Sequence, residues 1–333
     1  MKKIYKLLLV FFLTIYPIAC FAQDESFDLW LSSFKIHALK NNISEETFDL
    51  AMSKVKFIPK VIEYDRFQPE FYEDTKTYIK KRSSNKKVKE GIKLYKANKI
   101  LIDEIEENFF VEKELLLALM GIETNFGKYL GKMDILSSLA TLSYDKRRRD
   151  FFTSELITIL QLIEVGTIDY KILYGSWAGA FGNFQFMPST IKNYAIDYDK
   201  NNAIELKKTE DSFASAANYI GKIGWKKNQP CFKKVELSKK IPKKFLNTSA
   251  KNIKNKIKVK KIKKYLINPE ILKLNDDDIV GIITPDKDII PEAENLSPAY
   301  LTYYNYELIL KWNRSLRFAL AVCTLKEKIS NEL

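Results

Sequence analysis

Apolar residues recur at helical spacing over most of the chain. Phe27, Leu29, Trp30, Leu31, Phe34 and Ile36, then Phe48, Leu50 and Met52, predict helix through 26–57, with Ser44 ahead of Glu46 and Thr47 as a start signal. Residues 58–77 hold Pro59, Pro69 and many aromatics and read as an extended connector. Val88, Ile92, Leu94, Ile100, Leu101 and Ile105 predict helix over 86–110. The stretch 111–123 opens with acids and continues apolar, which suits a buried helix ending near Gly127. Further helices are expected over 150–164, 188–196 and 210–223, with a turn-rich stretch carrying Gly175, Gly179, Gly182 and Pro188 between the first two. Within 229–290, short β-branched runs at 257–259 and 279–284 predict a small β-containing subdomain. After Ser297-Pro298 a single helix to about residue 330 is expected, with Leu308, Trp312, Leu316, Ala319, Leu320 and Cys323 on one face. The class is mainly α with a minor β insert.

Composition sets the scale and the compartment. A chain of 333 residues suggests two domains, or one with a sizeable appendage. A 46% hydrophobic content supports a real core and argues against disorder. No apolar run in the body approaches the length of a membrane span, which excludes a polytopic membrane protein. Residues 1–22 stand apart. Lys2, Lys3 and Lys6 precede an uncharged run from Leu7 to Ala19, and small residues follow at Ala19, Cys20 and Ala22. This order reads as a signal peptide for export to the periplasm, cleaved after Ala22. Lipid attachment at Cys20 is the alternative, and Pro17-Ile18-Ala19 matches the usual lipoprotein signal less well.

Beyond the signal only Cys231 and Cys323 remain; one potential bridge is no disulfide framework, and Cys323 reads as a small core residue, with pairing left open. His37 is the single histidine, which excludes a multi-His zinc site and leaves a Ser-His-Asp triad only a remote imidazole. The formal charge is +13, or +10 without the three signal lysines. Much of it lies in 233–264, where fourteen Lys accompany one acid, Glu236. In an exported protein this block suits an anionic envelope polymer or membrane surface, and no nucleic-acid partner is expected. A merely solvated face is the competing reading.

Two places carry chemistry. Glu123 ends the apolar run from Leu115 to Ile122 and precedes Thr124-Asn125-Phe126-Gly127. A carboxyl at the end of a buried helix loses solvent, which favours its protonated form and suits a general acid. The segment Gly175 to Pro188 combines three glycines, the flat faces of Trp177, Phe181, Phe184 and Phe186, and the neutral hydrogen-bonding groups of Ser176, Asn183 and Gln185. That mixture suits an uncharged polymer rather than phosphate, for which a lysine and a strand-to-helix switch would be needed.

These blocks resemble the lytic murein transglycosylase B family, glycoside hydrolase family 103. The resemblance runs through Asp65-Arg66-Phe67-Gln68-Pro69-Glu70-Phe71, Glu123-Thr124-x-Phe-Gly127, Leu139-Ala140-Thr141-Leu142, Arg147-Arg148, Gly175 to Ser189, Ala216 to Tyr219, Gly224-Trp225 and Trp312-Asn313-Arg314-Ser315. It is weak only over 229–290. It implies a lysozyme-like helical core over 111–228, preceded by a helical region at 23–110, interrupted by the Lys-rich insert at 229–290 and completed by a C-terminal helix within 291–333 that returns to the core. It implies cleavage of the MurNAc–GlcNAc β-1,4 bond of peptidoglycan, with Glu123 as acid and then base and a 1,6-anhydromuramoyl end as product. Ser176, Gln185, Asn313 and Tyr78 would line the cleft, and Arg147 and Arg148 would meet stem-peptide carboxylates. A hydrolytic muramidase and a catalytically idle murein-binding scaffold on the same fold are the rival readings. Some relatives carry a calcium loop after the Met-Pro block. Here Asp197, Asp199 and Asn201 keep oxygen ligands, but Asn202 replaces the turn glycine and Lys208 stands where a bidentate acid belongs, so neither a metal nor another cofactor is expected.

Overall fold

The computed structural model describes residues 26–68, 72–287, 289–290 and 296–333. The leader and the Cys20 reading lie outside the described residues. No helix among them is long and apolar enough to cross a membrane.

The order of elements begins α1 Phe27–Lys40, α2 Glu45–Met52, α3 Pro59–Arg66, α4 Thr75–Arg82, α5 Asn85–Ala97, α6 Lys99–Phe109 and α7 Lys113–Glu123. It continues with β1 Met133–Asp134, α8 Ile135–Tyr144, α9 Arg149–Glu164, β2 Tyr174–Gly175, α10 Pro188–Tyr194 and α11 Thr209–Lys222. Then come β3 Phe232–Val235, β4 Leu246–Asn247, β5 Ile257–Lys258, α12 Val259–Ile262, β6 Ile279–Ile283, β7 Ala299–Thr302, α13 Tyr304–Trp312 and α14 Leu316–Ser330. Side-chain caps set many helix starts: Ser26, Ser44, Asp74, Ser84, Asp134 and Ser315 each accept a backbone N–H from the first turn of the helix they open.

Helix α7 is the centre of the molecule. Its residues Leu115 to Gly121 are all buried, and a helix apolar on every face must be enclosed by others. α14, α5, α6 and α11 provide that enclosure. The second body of the fold is a small sheet in the order β3-β7-β6-β4, with β5 on β6. β7 pairs antiparallel with both β3 and β6, whereas β4 runs parallel to β6. Alternation along the strands divides the faces. Ala299 and Leu301 join Val235, Val280 and Ile282 in a separate apolar cluster, while Tyr300 and Ile283 face the main helical core.

Two expectations need correction, and one open question is answered. The segment 58–77 is not an extended connector: α3 and α4 occupy most of it. Pro59 sits in the first turn of α3, where its missing N–H costs nothing, so it opens the helix instead of breaking the chain. The stretch 298–330 is not one helix. Alternating Ala299-Tyr-Leu-Thr302 completes the sheet, and Ser315 caps a new helix through Phe318 N at 3.1 Å, so the chain bends at Asn313-Arg314. Cys323 is buried as expected, but as half of a disulfide with Cys231, with Cα atoms 6.1 Å apart. The sequence could not show that the start of β3 returns to α14.

A buried ionic contact fastens the two bodies further. Asp286, just beyond β6, pairs with Arg317 of α14 at 2.6 Å and accepts the backbone N–H and hydroxyl of Thr75 at the start of α4. Removing one partner of such a pair leaves an uncompensated charge, so the contact resists separation.

The disulfide closes a 92-residue separation. Replacing Cys231 and Cys323 with Ser should lower unfolding stability by about 3–5 kcal/mol with the helical circular dichroism intact, because the unfolded chain regains the entropy of an open loop. Denaturant midpoints of the oxidised and double-Ser proteins measure this directly.

Candidate active site

Glu123 is the last residue of α7 and is partly buried. The chain then turns through Asn125, Phe126 and Gly127, all at positive φ. Thr124, fully buried, holds this turn. Its hydroxyl donates to Asn183 O at 2.8 Å and accepts Gly127 N–H at 3.0 Å, tying the end of α7 to the Gly-aromatic segment. Phe126 folds back over Gly121, where an added Cβ would lie 2.6 Å from its ring. The half-buried ammonium of Lys87 donates to Gly121 O, one of the terminal carbonyls of α7, and burial lowers the lysine below its usual range.

The carboxyl itself is held by a group the sequence reading placed in an apolar stripe. The indole N–H of Trp312 donates to Glu123 Oε1 at 2.9 Å. Tyr219 stacks on the Trp312 ring at 5.1 Å and 22°, and Tyr194 stacks on Tyr219 at 4.4 Å. Phe186 and Phe184 meet the indole edge-on at 5.4 and 6.3 Å. Tyr219 also donates its hydroxyl to Lys311 O at 3.2 Å, bracing the backbone next to Trp312. Burial, with the neighbouring Tyr194, pushes Tyr219 up to about 12, so it stays neutral over the working range.

The expected ligand-binding residues have varied surroundings. Ser176 lies in a turn closed by Ser176 N to Ala180 O at 2.9 Å, and its Oγ accepts Ala180 N–H at 3.0 Å, so its own O–H can donate outward. This turn needs glycine at 175, where a Cβ would lie 2.1 Å from Ala180 O. Gln185, at φ 50°, lies within the tight turn closed by the pairing of Phe181 with Phe186. Its amide N–H groups hold Gly182 O and Leu130 O at 2.9 and 3.3 Å, which leaves the amide oxygen as the group to offer a ligand. Asn313 is the elbow residue after Trp312, so the bond from Trp312 brings it to the Glu123 side of the molecule.

Tyr78 is 3% exposed, with the Arg82 guanidinium 3.6 Å above its ring. Arg147 and Arg148 both grip the buried carboxylate of Asp65, so they are anchored cations and not freely swinging ones. The residue that anchors them lies in the matched Asp65 block, but nothing in its local sequence gives away the partner.

Three other acids of these segments have defined partners. Asp134 caps α8 through Ser137 N at 2.6 Å, Asp145 pairs with Arg66 at 2.9 Å, and Glu155 binds Ser189 N and Oγ at 2.8 and 2.6 Å, fixing the start of α10. In the loop after α10, carboxylate oxygens of Asp197, Asp199 and Asp211 come within 4.8 Å of one another, a spacing a cation could use. The donor set nevertheless fits calcium poorly. Asp197 accepts the N–H groups of Asn201 and Asn202, Asp211 those of Tyr198 and Glu205, and the Lys208 ammonium sits on Glu205. Asn202, at φ 67°, adopts the left-handed turn that glycine would otherwise provide.

Comparison with known proteins identifies the family and the fold. Residues 26–327 match the family model described as a transglycosylase SLT domain. Membrane-bound lytic murein transglycosylase B of Escherichia coli (strain K12) is 36% identical over 151 residues, 45% of this chain and 42% of the relative, so the match spans less than half of that protein. The crystal structure of SltB3 from Pseudomonas aeruginosa in complex with NAG-anhNAM-pentapeptide superposes with a TM-score of 0.79 at 29% identity, covering 92% of this chain and 80% of that one. The Escherichia coli lytic transglycosylase Slt35 in complex with bulgecin A shares the fold, with a TM-score of 0.73 at 24% identity, covering 91% of this chain and 93% of that one.

Gly121→Ala should force Phe126 off α7 and shift the Glu123 turn. A stability loss of about 1–3 kcal/mol, with turnover falling at least about tenfold, is expected from overpacking and misplacement. Thermal melting paired with a murein-release assay reads both effects.

Proposed function

The chain belongs to the transglycosylase SLT domain family, and on that premise we propose that it is a peptidoglycan lytic transglycosylase that cleaves the MurNAc–GlcNAc β-1,4 bond and leaves 1,6-anhydromuramoyl ends. The observation that carries the reading is one carboxyl, Glu123, fixed at the end of the buried helix and held by a neutral donor. In the reaction its O–H gives a proton to the glycosidic oxygen as the bond from that oxygen to C1 breaks. The carboxylate so formed takes the proton of the C6 hydroxyl as O6 closes on C1. One group serves both steps, and water does not enter.

A glycosidase that uses water needs a second carboxyl flanking the bond. Asp134 and Asp145 are committed to a helix cap and an ion pair, Glu155 to a second helix start, and exposed Asp150 opens toward α1 beside Trp30 and His37, which favours the lyase over the hydrolase. An idle scaffold would have no use for an acid held in this way. The Ser176 hydroxyl, the Gln185 amide oxygen and Asn313 are proposed to hold N-acetyl and hydroxyl groups of the sugars, with Tyr78 as part of the cleft wall. Arg147 and Arg148, anchored on Asp65 but still 44% and 39% exposed, are proposed to meet stem-peptide carboxylates. No metal or organic cofactor takes part in this scheme. The anhNAM-containing fragment bound by the related SltB3 supports the substrate class.

The same reading places the protein in the cell envelope, with residues 1–22 as its export signal and cleavage after Ala22. The Cys231–Cys323 bridge supports an oxidising compartment. The Lys-rich segment is proposed to meet the anionic envelope. Lys256, Lys258, Lys260 and Lys263 pair with acids, and the other lysines of 233–264 make no ion pair among the described residues.

Glu123→Gln should abolish cleavage of purified sacculi while melting with the wild type, because an amide keeps the shape and cannot cycle a proton. A loss of at least about 10²–10⁴-fold is expected, and turnover within about tenfold of wild type would remove Glu123 from the reaction. Mass spectrometry of the wild-type digest should show anhydro ends; reducing ends would indicate hydrolysis. Converting about six unpaired lysines of 233–264 to Gln should weaken sacculus binding at low salt and leave it nearly unchanged at high salt, where charges are screened beyond about 3–8 Å. Equal binding at low salt would assign the block to a solvated face.

A further inference from the structure

Trp312, to which the family resemblance assigns no role, touches the Glu123 carboxyl. We propose that Trp312 is a positioning residue for the reaction. Its indole N–H locks the plane of the Glu123 carboxyl through both proton transfers without competing for the proton. The inference rests on the reading of Glu123 as the group that gives and takes that proton.

Three observations carry it. The first is the nature of the partner. An indole N–H donates only, and it neither accepts a proton nor ionises in the working range. A carboxylate, imidazole or amine at the same place would exchange protons with Glu123 or change its charge. The indole can hold Oε1 in either protonation state of the acid, so the same contact survives from the first step to the second.

The second is that the indole is itself fixed. Tyr219 covers one face of the ring, and Phe184 and Phe186 approach its edges. The Tyr219 hydroxyl pins the carbonyl of Lys311, one residue before. A donor that could turn away would not orient anything; this one is braced at ring and backbone. Tyr194, stacked behind Tyr219, extends the support to α10.

The third is where Trp312 lies in the chain. It ends α13, and Asn313 follows at the elbow before α14. The side chain that orients the acid and the proposed sugar-binding Asn313 therefore move as one unit. Orientation of a reacting group is worth large factors in rate, and small misplacements forfeit them.

Trp312→Phe keeps a ring for Tyr219 to stack on and removes the N–H. With a soluble peptidoglycan oligosaccharide as substrate, kcat should fall about 10- to 100-fold with KM changed less than about threefold. A kcat within about threefold of wild type in a variant that melts normally would overturn the proposal. A second measurement does not depend on activity or on the variant folding well. In the wild type with ¹⁵N-labelled tryptophan, the Trp312 indole N–H resonance should lie downfield and move when Glu123 is replaced by Ala. The Trp225 indole, which donates to Glu112, should stay in place as the internal control. A Trp312 resonance that ignores Glu123→Ala would show that the contact is absent in solution and sink the idea. Activity retained by Glu123→Gln would instead defeat the functional reading, while leaving the resonance test standing.

Discussion

A helix with no polar face cannot stand at a surface, and α7 has none between Leu115 and Gly121. That constraint organises the molecule. It draws α14 from the far end of the chain, with α5, α6 and α11, into a jacket around it. It also decides where Glu123 can be. The carboxyl emerges at the point where the jacket ends, so one side of it faces packed aromatic rings. The disulfide and the Asp286–Arg317 pair then hold the jacket and the sheet together, since α14 is fastened by both.

Several buried acids hold the architecture together. Glu112 receives Trp225, Asn228 N and Lys326; Asp65 receives two guanidiniums; Asp286 receives Thr75 and Arg317. Each of these contacts ties together segments that lie far apart in the sequence. Glu123 has the neutral indole as partner on Oε1.

What could be read in the sequence followed from local pattern. The uninterrupted apolar run over 115–122 gave away α7 and therefore the setting of Glu123, and the glycines at 175, 179 and 182 marked tight backbone turns. What could not be read depended on contacts between distant segments. Trp312 matched the spacing of an apolar stripe, and packing is indeed part of its role; only the return of α13 to the end of α7 turns its N–H into a partner for Glu123. Arg147 and Arg148 carry no local sign of their counter-ion, because Asp65 sits some eighty positions earlier in the chain. The C-terminal segment looked like one helix because the residues of α13 and α14 keep compatible spacing across the bend, and the pairing of Ala299–Thr302 with β3 and β6 has no local signature.

The dependence of α7 on α14 has a consequence for how the protein comes into being. Synthesis runs from the N-terminus, so the residues of α7 are made long before Leu325 and Ile329, which pack into the same core. Until the last helix is complete, this apolar helix lacks its largest cover. A nascent or partly threaded chain is therefore sticky and slow to consolidate, because its decisive contacts span most of its length. A chain that has not yet brought Tyr304–Trp312 back to the end of α7 also lacks the contact of Trp312 with Glu123. Completion of the chain and completion of the surroundings of Glu123 therefore go together, because both wait on the same C-terminal helices.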